Sequence, residues 1–236
     1  MKTLLLSILA TILLLSACHN DTIQDQPISI DHDIELSVQP QEAEYRKPPS
    51  CPVGMILISD EHHTFCIDQY EFPNQLGVNP PIALSAYDAE ALVKQVGKRL
   101  CTYEEWHRAC VGKHNWRYSY GSVYQAGRCN DNKTGWVNPH WELMFSPQWH
   151  DWTMHLYKGE PDGSRPNCVS DEGVEEMIGN VREWVRDPKG MGGYSIPSGY
   201  WYGTTAGAPT CDYVIRNHSP SFRSYEFGAR ACMNAE

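Results

Sequence analysis

The pattern of apolar and polar positions divides the chain into three regions. Residues 3–15 are apolar apart from Thr and Ser, a run that is too short to span a bilayer comfortably and is typical of a signal-peptide core. Residues 19–50 carry seven acidic residues and scattered prolines without sustained periodicity, which indicates a solvated tether. From residue 51 onward short apolar segments alternate with turn residues, so we predict one folded domain at 51–236.

The first elements predicted in this domain are a β-hairpin and a helix. Residues 51–59 and 64–68 have the composition of two short strands around a turn-like sequence at 60–63. Thr102 and Glu105 have the spacing of a capping box, in which each side chain accepts a hydrogen bond from the other residue's backbone N–H. A helix is therefore expected to begin at Thr102.

The rest of the domain is predicted to contain little regular structure. Residues 85–97 favour a second helix, whose apolar face recurs at helical spacing and consists of Ala89, Leu92, Val93 and Val96. Residues 112–170 are rich in Gly, Asn, Pro and aromatic residues, so we expect long ordered loops there. The pattern then predicts a turn of helix at 173–177 and short strands at 181–185 and 227–232. The predicted fold class is α+β.

The end of the apolar run indicates how the protein is exported. Leu15-Ser-Ala-Cys18 resembles the lipobox of bacterial lipoproteins, in which the cysteine becomes the lipid-bearing first residue. We therefore interpret residues 1–18 as a lipoprotein signal, with Cys18 as a membrane anchor; the alternative is an ordinary cleaved signal. His19 follows instead of Asp, which by resemblance to lipoprotein sorting favours the outer membrane.

Composition excludes one class of partner. The 236 residues have a formal net charge of -10, so the chain lacks the basic surface that binding to a phosphate backbone requires. We therefore expect no nucleic-acid partner.

The cysteine count points to disulfides. Beyond Cys18 the chain has an even number of cysteines, and an exported protein favours their oxidation. A zinc site is the weaker interpretation, because the sequence has no CxxC pair. The eight predicted disulfide cysteines are Cys51, Cys66, Cys101, Cys110, Cys129, Cys168, Cys211 and Cys232.

Geometry narrows the possible pairs. A bridge from Cys51 to Cys66 would close the predicted hairpin, and Cys129 and Cys168 would close the central loop region. In a helix that starts at Thr102, the ends of the segment from Cys101 to Cys110 are roughly 12–13 Å apart, which is outside disulfide reach.

The two cysteines of the helical first half are therefore left to form disulfides with the two cysteines of the C-terminal segment. Cys101 and Cys110 are each expected to pair with Cys211 or Cys232, and the sequence leaves open which pairs with which. Such bridges would clamp the two halves of a loop-rich domain together.

Spaced motifs follow one another from residue 54 to residue 232. They are Gly54-Met-Ile-Leu-Ile, Phe65-Cys-Ile-Asp-Gln-Tyr-Glu71 with Asn74, Gly97-Lys-Arg-Leu-Cys-Thr-Tyr-Glu-Glu-Trp106, Ala109-Cys110, Tyr120-Gly121, Gly173-Val-Glu-Glu-Met-Ile-Gly-Asn-Val-Arg-Glu-Trp184, Gly192-Gly193 and Gly228-Ala-Arg-Ala-Cys232. In this order they resemble the formylglycine-generating enzyme, or sulfatase-modifying factor, domain. The resemblance spans residues 51–234 and implies a C-type-lectin-like α+β fold.

The resemblance also implies a chemistry. Enzymes of the family oxidise a substrate cysteine with oxygen and a copper(I) ion held by two cysteines five residues apart, since soft thiolates suit this ion. Cys211 matches the second cysteine and is the candidate catalytic residue, but the first falls on Ala206. One thiolate cannot form the pair, so we expect no copper. The alternative for Cys211 is a disulfide, because the family's counterpart of Cys110 is bridged to this segment.

A calcium site is a second implication of the resemblance. Oxygen ligands from a short irregular loop are what this hard cation needs. Carried over by position, the ligands are the side chains of Glu176 and Glu183 and the backbone carbonyls of Gly179 and Val181. The alternative is that Glu183 pairs with a buried arginine, such as Arg99 or Arg230, and that no metal binds.

Two functional hypotheses remain. The first is a lipid-anchored, non-catalytic scaffold whose loops bind a protein or glycan; the second is an oxidoreductase that acts on a protein thiol or small substrate. The missing cysteine favours the scaffold. Aromatic residues that could stack on a sugar or peptide are Trp136, Trp141, Trp149, Trp152, Tyr200, Trp201 and Tyr202.

Overall fold

The computed structural model describes residues 48–61, 63–204 and 208–236. The predicted anchor Cys18 and the tether at 19–47 lie outside these residues. In chain order the elements are β1 (Met55–Ser59), β2 (Thr64–Asp68), α1 (Ala86–Gln95), β3 (Arg99–Leu100), α2 (Tyr103–Val111), α3 (Trp141–Met144), α4 (Trp149–Leu156), β4 (Arg182–Arg186), β5 (Tyr194–Pro197), β6 (Val214–Ile215), β7 (Phe227–Ala229) and β8 (Ala231–Asn234). Among the described residues no helix is long and apolar enough to cross a membrane.

Two four-stranded sheets form the framework of the domain. The first has the order β1-β2-β8-β3 and is antiparallel throughout. The second has the order β6-β5-β4-β7, and in it β4 pairs with β7 in parallel. The predicted hairpin is present, with Met55 opposite Asp68 and Ser59 opposite Thr64. A single residue, Arg230, separates β7 of the second sheet from β8 of the first, so this segment links the two sheets.

Both predicted helix starts are present with complete capping boxes. In α2 the Thr102 side chain accepts from the Glu105 N–H, and the Glu105 carboxylate accepts from the Thr102 N–H. In α1, Ser85 and Asp88 make the equivalent pair of hydrogen bonds. The predicted apolar face of α1 is wrong at its end, because Val96 is the C-cap residue and is largely exposed.

Two expectations for the central region are corrected by the structure. The stretch at 112–170, predicted to consist of loops, contains the short helices α3 and α4. Residues 173–177, predicted to form a turn of helix, form turns and an isolated bridge between Val169 and Glu175. Leu156 and Met144 are the buried anchors of the two unpredicted helices, and their apolar contacts explain why the helices form without a strong sequence signal.

Four disulfides connect the segments of the domain. They join Cys51 to Cys66, Cys101 to Cys232, Cys110 to Cys211 and Cys129 to Cys168. The pairing that the sequence left open is thus resolved in the structure. Six of the eight sulfurs lie in the largest apolar cluster, where Trp106 is fully buried, so the bridges are part of the core.

Candidate functional site

Three buried carboxylates from separate parts of the chain meet in the interior. Glu71 follows β2, Asp162 lies in the loop after α4, and Glu176 lies in the turns before β4. One oxygen of each lies within 4.8 Å of the others, and all three side chains are buried. We call Glu71, Asp162 and Glu176 the carboxylate cluster.

The cluster has oxygens without protein partners. Glu71 is satisfied, because it accepts from the backbone N–H of Val181 at 3.0 Å and from the Asn180 side chain at 2.5 Å. Glu176 accepts from the Gly163 N–H at 3.2 Å through one oxygen, while its other oxygen has no partner. Neither oxygen of Asp162 makes a well-formed hydrogen bond, although the backbone of Gln75 acts on this carboxyl group and lowers its pKa against the effect of burial. Buried polar atoms are normally paired, so these oxygens call for a proton or a cation.

The electrostatics of the cluster agree with this view. Burial raises the pKa of Asp162 to about 8 and the pKa of Glu176 to about 7. Burial, followed by the charge of Glu176, also raises the pKa of Glu71 well above its usual range. Without a counter-ion the cluster therefore holds protons, and a divalent cation that displaced them would find three hard oxygen donors.

Arg230 is a buried cation close to the cluster, but its hydrogen bonds go to other groups. Arg230 is fully buried and contacts the Glu183 carboxylate at 2.8–2.9 Å. Its remaining N–H groups donate to the backbone carbonyls of Asp68, Gln69 and Glu175. The second oxygen of Glu183 accepts from the Trp106 indole. Arg230 therefore pairs directly with Glu183, while its charge acts on the cluster from a distance and partly offsets the effect of burial on the pKa of each carboxyl group.

The four calcium ligands that the family resemblance implied do not all lie at one site in the structure. Glu176 lies in the carboxylate cluster, but Glu183 forms the ion pair with Arg230 that the sequence left as an alternative. Val181 contributes its N–H to Glu71. Gly179 has φ +86°, and a Cβ there would lie 2.5 Å from the Asn130 carbonyl oxygen, so only glycine permits this close approach. Sequence reasoning missed Glu71 and Asp162 as members of the site.

Cys211, the candidate catalytic residue, is not a free thiol in the structure. Its sulfur is bonded to that of Cys110, and the residue has no exposed surface. The bridge ties α2 to the segment before β6, which is a structural role. Ala206, the position matched to the first copper ligand, lies outside the described residues.

A second candidate site is a pocket of about 460 Å³ beside β4 and β7. Its walls are mainly aromatic, and we call it the aromatic pocket. The aromatic residues that line it are Trp136, Trp141, Tyr200, Tyr202, Tyr213, Phe222, Tyr225 and Phe227. Trp201, which the sequence also suggested for ligand stacking, is instead fully buried beside Tyr157 and Tyr225. Concave, mostly apolar sites with a few polar groups are typical of ligand binding.

Two cationic residues line this pocket, Lys133, which is paired with Glu160, and Arg182, whose Nε has no hydrogen-bond partner. The guanidinium of Arg182 lies 4.9 Å from the ring centre of Tyr200 and 5.5 Å from that of Tyr213. Its terminal nitrogens donate to the carbonyls of Ser198 and Gly203, while its Nε makes no hydrogen bond and lies 4.0 Å from Glu226. A buried donor with spare capacity beside aromatic walls can bind an oxygen of a ligand.

Asp131, close to Gly179, allows a prediction about pH. Burial raises its pKa to about 6, although the Tyr124 hydroxyl donates to it. A raised pKa in the folded state means that stability is lost as pH rises from about 4 through about 6. Asp131→Asn should therefore gain on the order of 2 kcal/mol relative to wild type between pH 4 and pH 8. Urea titrations at pH 4 and pH 8 measure the free energy of unfolding, and the exposed Asp151→Asn is the control. The prediction is contradicted if Asp131→Asn differs from wild type by the same free energy at both pH values.

Comparison with known proteins identifies the family. A model described as "Sulfatase-modifying factor enzyme 1-like domain" matches residues 63–231, which is more than half of the chain. The chain therefore belongs to the sulfatase-modifying factor family. No curated protein matches the chain in a sequence search.

Comparison with solved structures finds similarity at low sequence identity. The crystal structure of CarF has a TM-score of 0.50 and 16% identity, over 78% of this chain and 95% of that chain. PvdO from Pseudomonas aeruginosa has a TM-score of 0.49 and 16% identity, over 76% of this chain and 90% of that chain. The Major Tropism Determinant I1 variant has a TM-score of 0.49 and 15% identity, over 82% of this chain and only 55% of that chain. The C-type-lectin-like α+β fold predicted from the sequence is confirmed.

Proposed function

We propose that the chain is a non-catalytic, ligand-binding member of the family that is held at the bacterial envelope by a lipid on Cys18. The observation that carries the proposal is the disulfide between Cys110 and Cys211. A copper(I) site needs thiolates, and the eight cysteines of the described residues are all consumed by bridges. The alternative, a thiol oxidoreductase, would need Cys211 to be reduced and a second ligand to be found.

The aromatic pocket is the proposed ligand site. Trp136 and Trp141 present half-exposed rings at the pocket, and Arg182, which also lines it, has an Nε–H without a hydrogen-bond partner. Aromatic faces combined with a few directed polar groups suit a sugar ring or a protein side chain. A surface glycan or protein is therefore the ligand class that we propose.

Calcium is the proposed structural ion of this scaffold. The three residues of the carboxylate cluster fit a hard cation, since they supply oxygen donors that the protein leaves unpaired. Bound calcium would neutralise the buried charge and connect the end of β2 to the loop after α4 and the turns before β4. It has no role in a reaction in this proposal.

The support for the envelope location comes from the sequence. The apolar run at 3–15, the lipobox that ends at Cys18 and the acidic tether together favour an outer-membrane lipoprotein. Eight paired cysteines agree with an oxidising compartment.

The test of the proposal is the redox state of Cys211 in the exported protein. The full chain is produced with its signal, denatured without reductant and alkylated, and its peptides are mapped by mass spectrometry. We expect no alkylated cysteine within residues 51–236 and a bridged peptide that contains Cys110 and Cys211. We also expect no stoichiometric copper(I) binding in competition with a chelator.

The opposite result would support the enzyme. A fully alkylated Cys211, one bound copper(I) per chain and oxygen consumption with a cysteine peptide would together overturn the proposal. A Cys211→Ser variant is the matched control, because it should lose all three signals if they arise from this thiol.

A further inference from the structure

A continuous apolar surface begins at the mouth of the aromatic pocket, where it shares Trp136 and Trp141 with the pocket, and extends beyond it along α3 and α4. It is formed by α3, α4 and the residues before them, and its members are strongly exposed: Trp136 57%, Trp141 44%, Phe145 70%, Trp149 43% and Met154 52%. We call these five residues the aromatic surface. Monomeric soluble proteins rarely expose so many large apolar side chains in one segment, so the surface is expected to have a partner.

Contacts show that the members adjoin one another. Trp141 and Phe145 both pack against Phe222, with ring centres 6.2 Å and 6.4 Å away. Phe145 and Trp149 line one shallow cavity of about 280 Å³. Trp149 and Met154 line the next, of about 360 Å³. The side chains therefore form one surface rather than scattered apolar positions.

The charges of the segment restrict what this surface can meet. Residues 135–157 contain no Lys or Arg, and Glu142 and Asp151 are their only acidic residues. Attraction to anionic lipid usually requires clustered basic residues, which this segment lacks. Binding would have to rely on apolar burial and on the amphipathic character of tryptophan, whose ring is apolar and whose N–H donates.

We infer that the aromatic surface docks on the headgroup layer of a zwitterionic phospholipid bilayer. The inference rests on the proposed lipid anchor, because Cys18 lies 30 positions before Pro48, the first described residue. At about 3.3–3.6 Å per extended residue, the chain between them can reach on the order of 100 Å. The anchor would thus keep the domain within reach of the bilayer at a high effective concentration.

The geometry suits shallow insertion. The short helices α3 and α4 carry buried anchors, Met144 and Leu156, and exposed members of the aromatic surface on their other sides. Tryptophan is enriched where membrane meets water, and an amphipathic helix can lie at that interface with its apolar face inserted. Docking would orient the domain on the membrane that carries its anchor.

The experiment uses the full lipidated chain, reconstituted in phosphatidylcholine vesicles that contain a lipid brominated on its acyl chains. Trp106, Trp184 and Trp201 are fully buried, so lipid quenching of tryptophan fluorescence would report mainly the exposed tryptophans. We expect clear quenching in the wild-type chain and at least a twofold decrease in Phe145→Glu, which leaves every tryptophan in place. Val123→Glu is the matched control, because Val123 is 73% exposed and lies outside the aromatic surface.

Each outcome has one meaning. A chain that does not float with the vesicles contradicts both the anchor and the docking. A second outcome is that the chain floats with the vesicles, but its tryptophans are not quenched by the lipid and are quenched by aqueous acrylamide. This result supports the anchor and overturns the docking, and the aromatic surface would then face a protein. Equal quenching in Phe145→Glu and wild type, with near-ultraviolet circular dichroism unchanged, also overturns the docking.

Discussion

Replacement of both Cys110 and Cys211 by alanine is expected to lower the free energy of unfolding by about 4 kcal/mol. The bridge spans 101 positions, and a closed loop of about 100 residues is worth roughly 4.7 kcal/mol in the chain-entropy description. Both sulfurs also pack in the largest apolar cluster, beside Trp106, so their loss weakens the core. Urea denaturation followed by tryptophan fluorescence measures the change.

The hairpin bridge provides an internal comparison. Cys51 and Cys66 are 15 positions apart, for which the same description gives about 3 kcal/mol. Replacing this pair by alanine should therefore cost less than replacing Cys110 and Cys211. If instead the Cys110 and Cys211 double variant kept wild-type stability, the bridge would be absent from the exported protein. The thiol of Cys211 would then be available, and the oxidoreductase hypothesis would become the stronger one.

Local signals explain which parts of the fold the sequence predicts well. The capping boxes at Ser85 and Thr102 act within four residues, so they mark helix starts whatever the rest of the chain does. The hairpin closed by Cys51 and Cys66 is equally local. By contrast, α3 and α4 depend on packing of Met144 and Leu156 against distant residues such as Tyr200, and their sequence has little periodicity.

The carboxylate cluster depends on contacts that are remote in sequence. Glu71 and Asp162 are 91 positions apart, and Asp162 belongs to none of the motifs that carry the family resemblance. The resemblance suggested two side chains as calcium ligands, Glu176, which lies in the cluster, and Glu183, which lies outside it. In the structure Glu183 pairs with Arg230, because a fully buried guanidinium requires a carboxylate partner. Oxygens of Asp162 and Glu176 have no such partner.

Family membership and fold do not determine activity here. The sulfatase-modifying factor family supplies the framework of two sheets, yet the site chemistry of this chain rests on its own residues. At the segment where enzymes of the family hold copper, this chain has a disulfide between Cys110 and Cys211. Elsewhere in the domain, Arg182 and aromatic rings form a pocket suited to binding. The proposed recognition role would use the same fold with its thiols oxidised to disulfides.

Calcium is expected to stabilise the wild-type domain strongly. A ligand that binds only the folded state at 100 times its Kd adds about 2.7 kcal/mol, which raises the Tm of a domain of this size by roughly 5–10 °C. The reason is that Asp162 and Glu176 leave buried oxygens unpaired, and calcium would satisfy them. Differential scanning calorimetry at pH 8 with excess calcium or with a chelator measures the effect. Identical Tm values in the two conditions would remove calcium from the proposal.

Asp162→Asn separates the carboxylate cluster from the ligand set implied by the family. This variant should lose most of the calcium response, because one of three carboxylates is gone. In chelator it should be at least as stable as wild type, since a neutral amide replaces a buried carboxylate whose oxygens have no partner. The exposed Asp212→Asn is the control and should keep the full response. If Asp162→Asn responded to calcium like wild type, the ion would not be held by the cluster. The ligand set with Glu176 and Glu183 would then have to be reconsidered, although Glu183 is paired with Arg230.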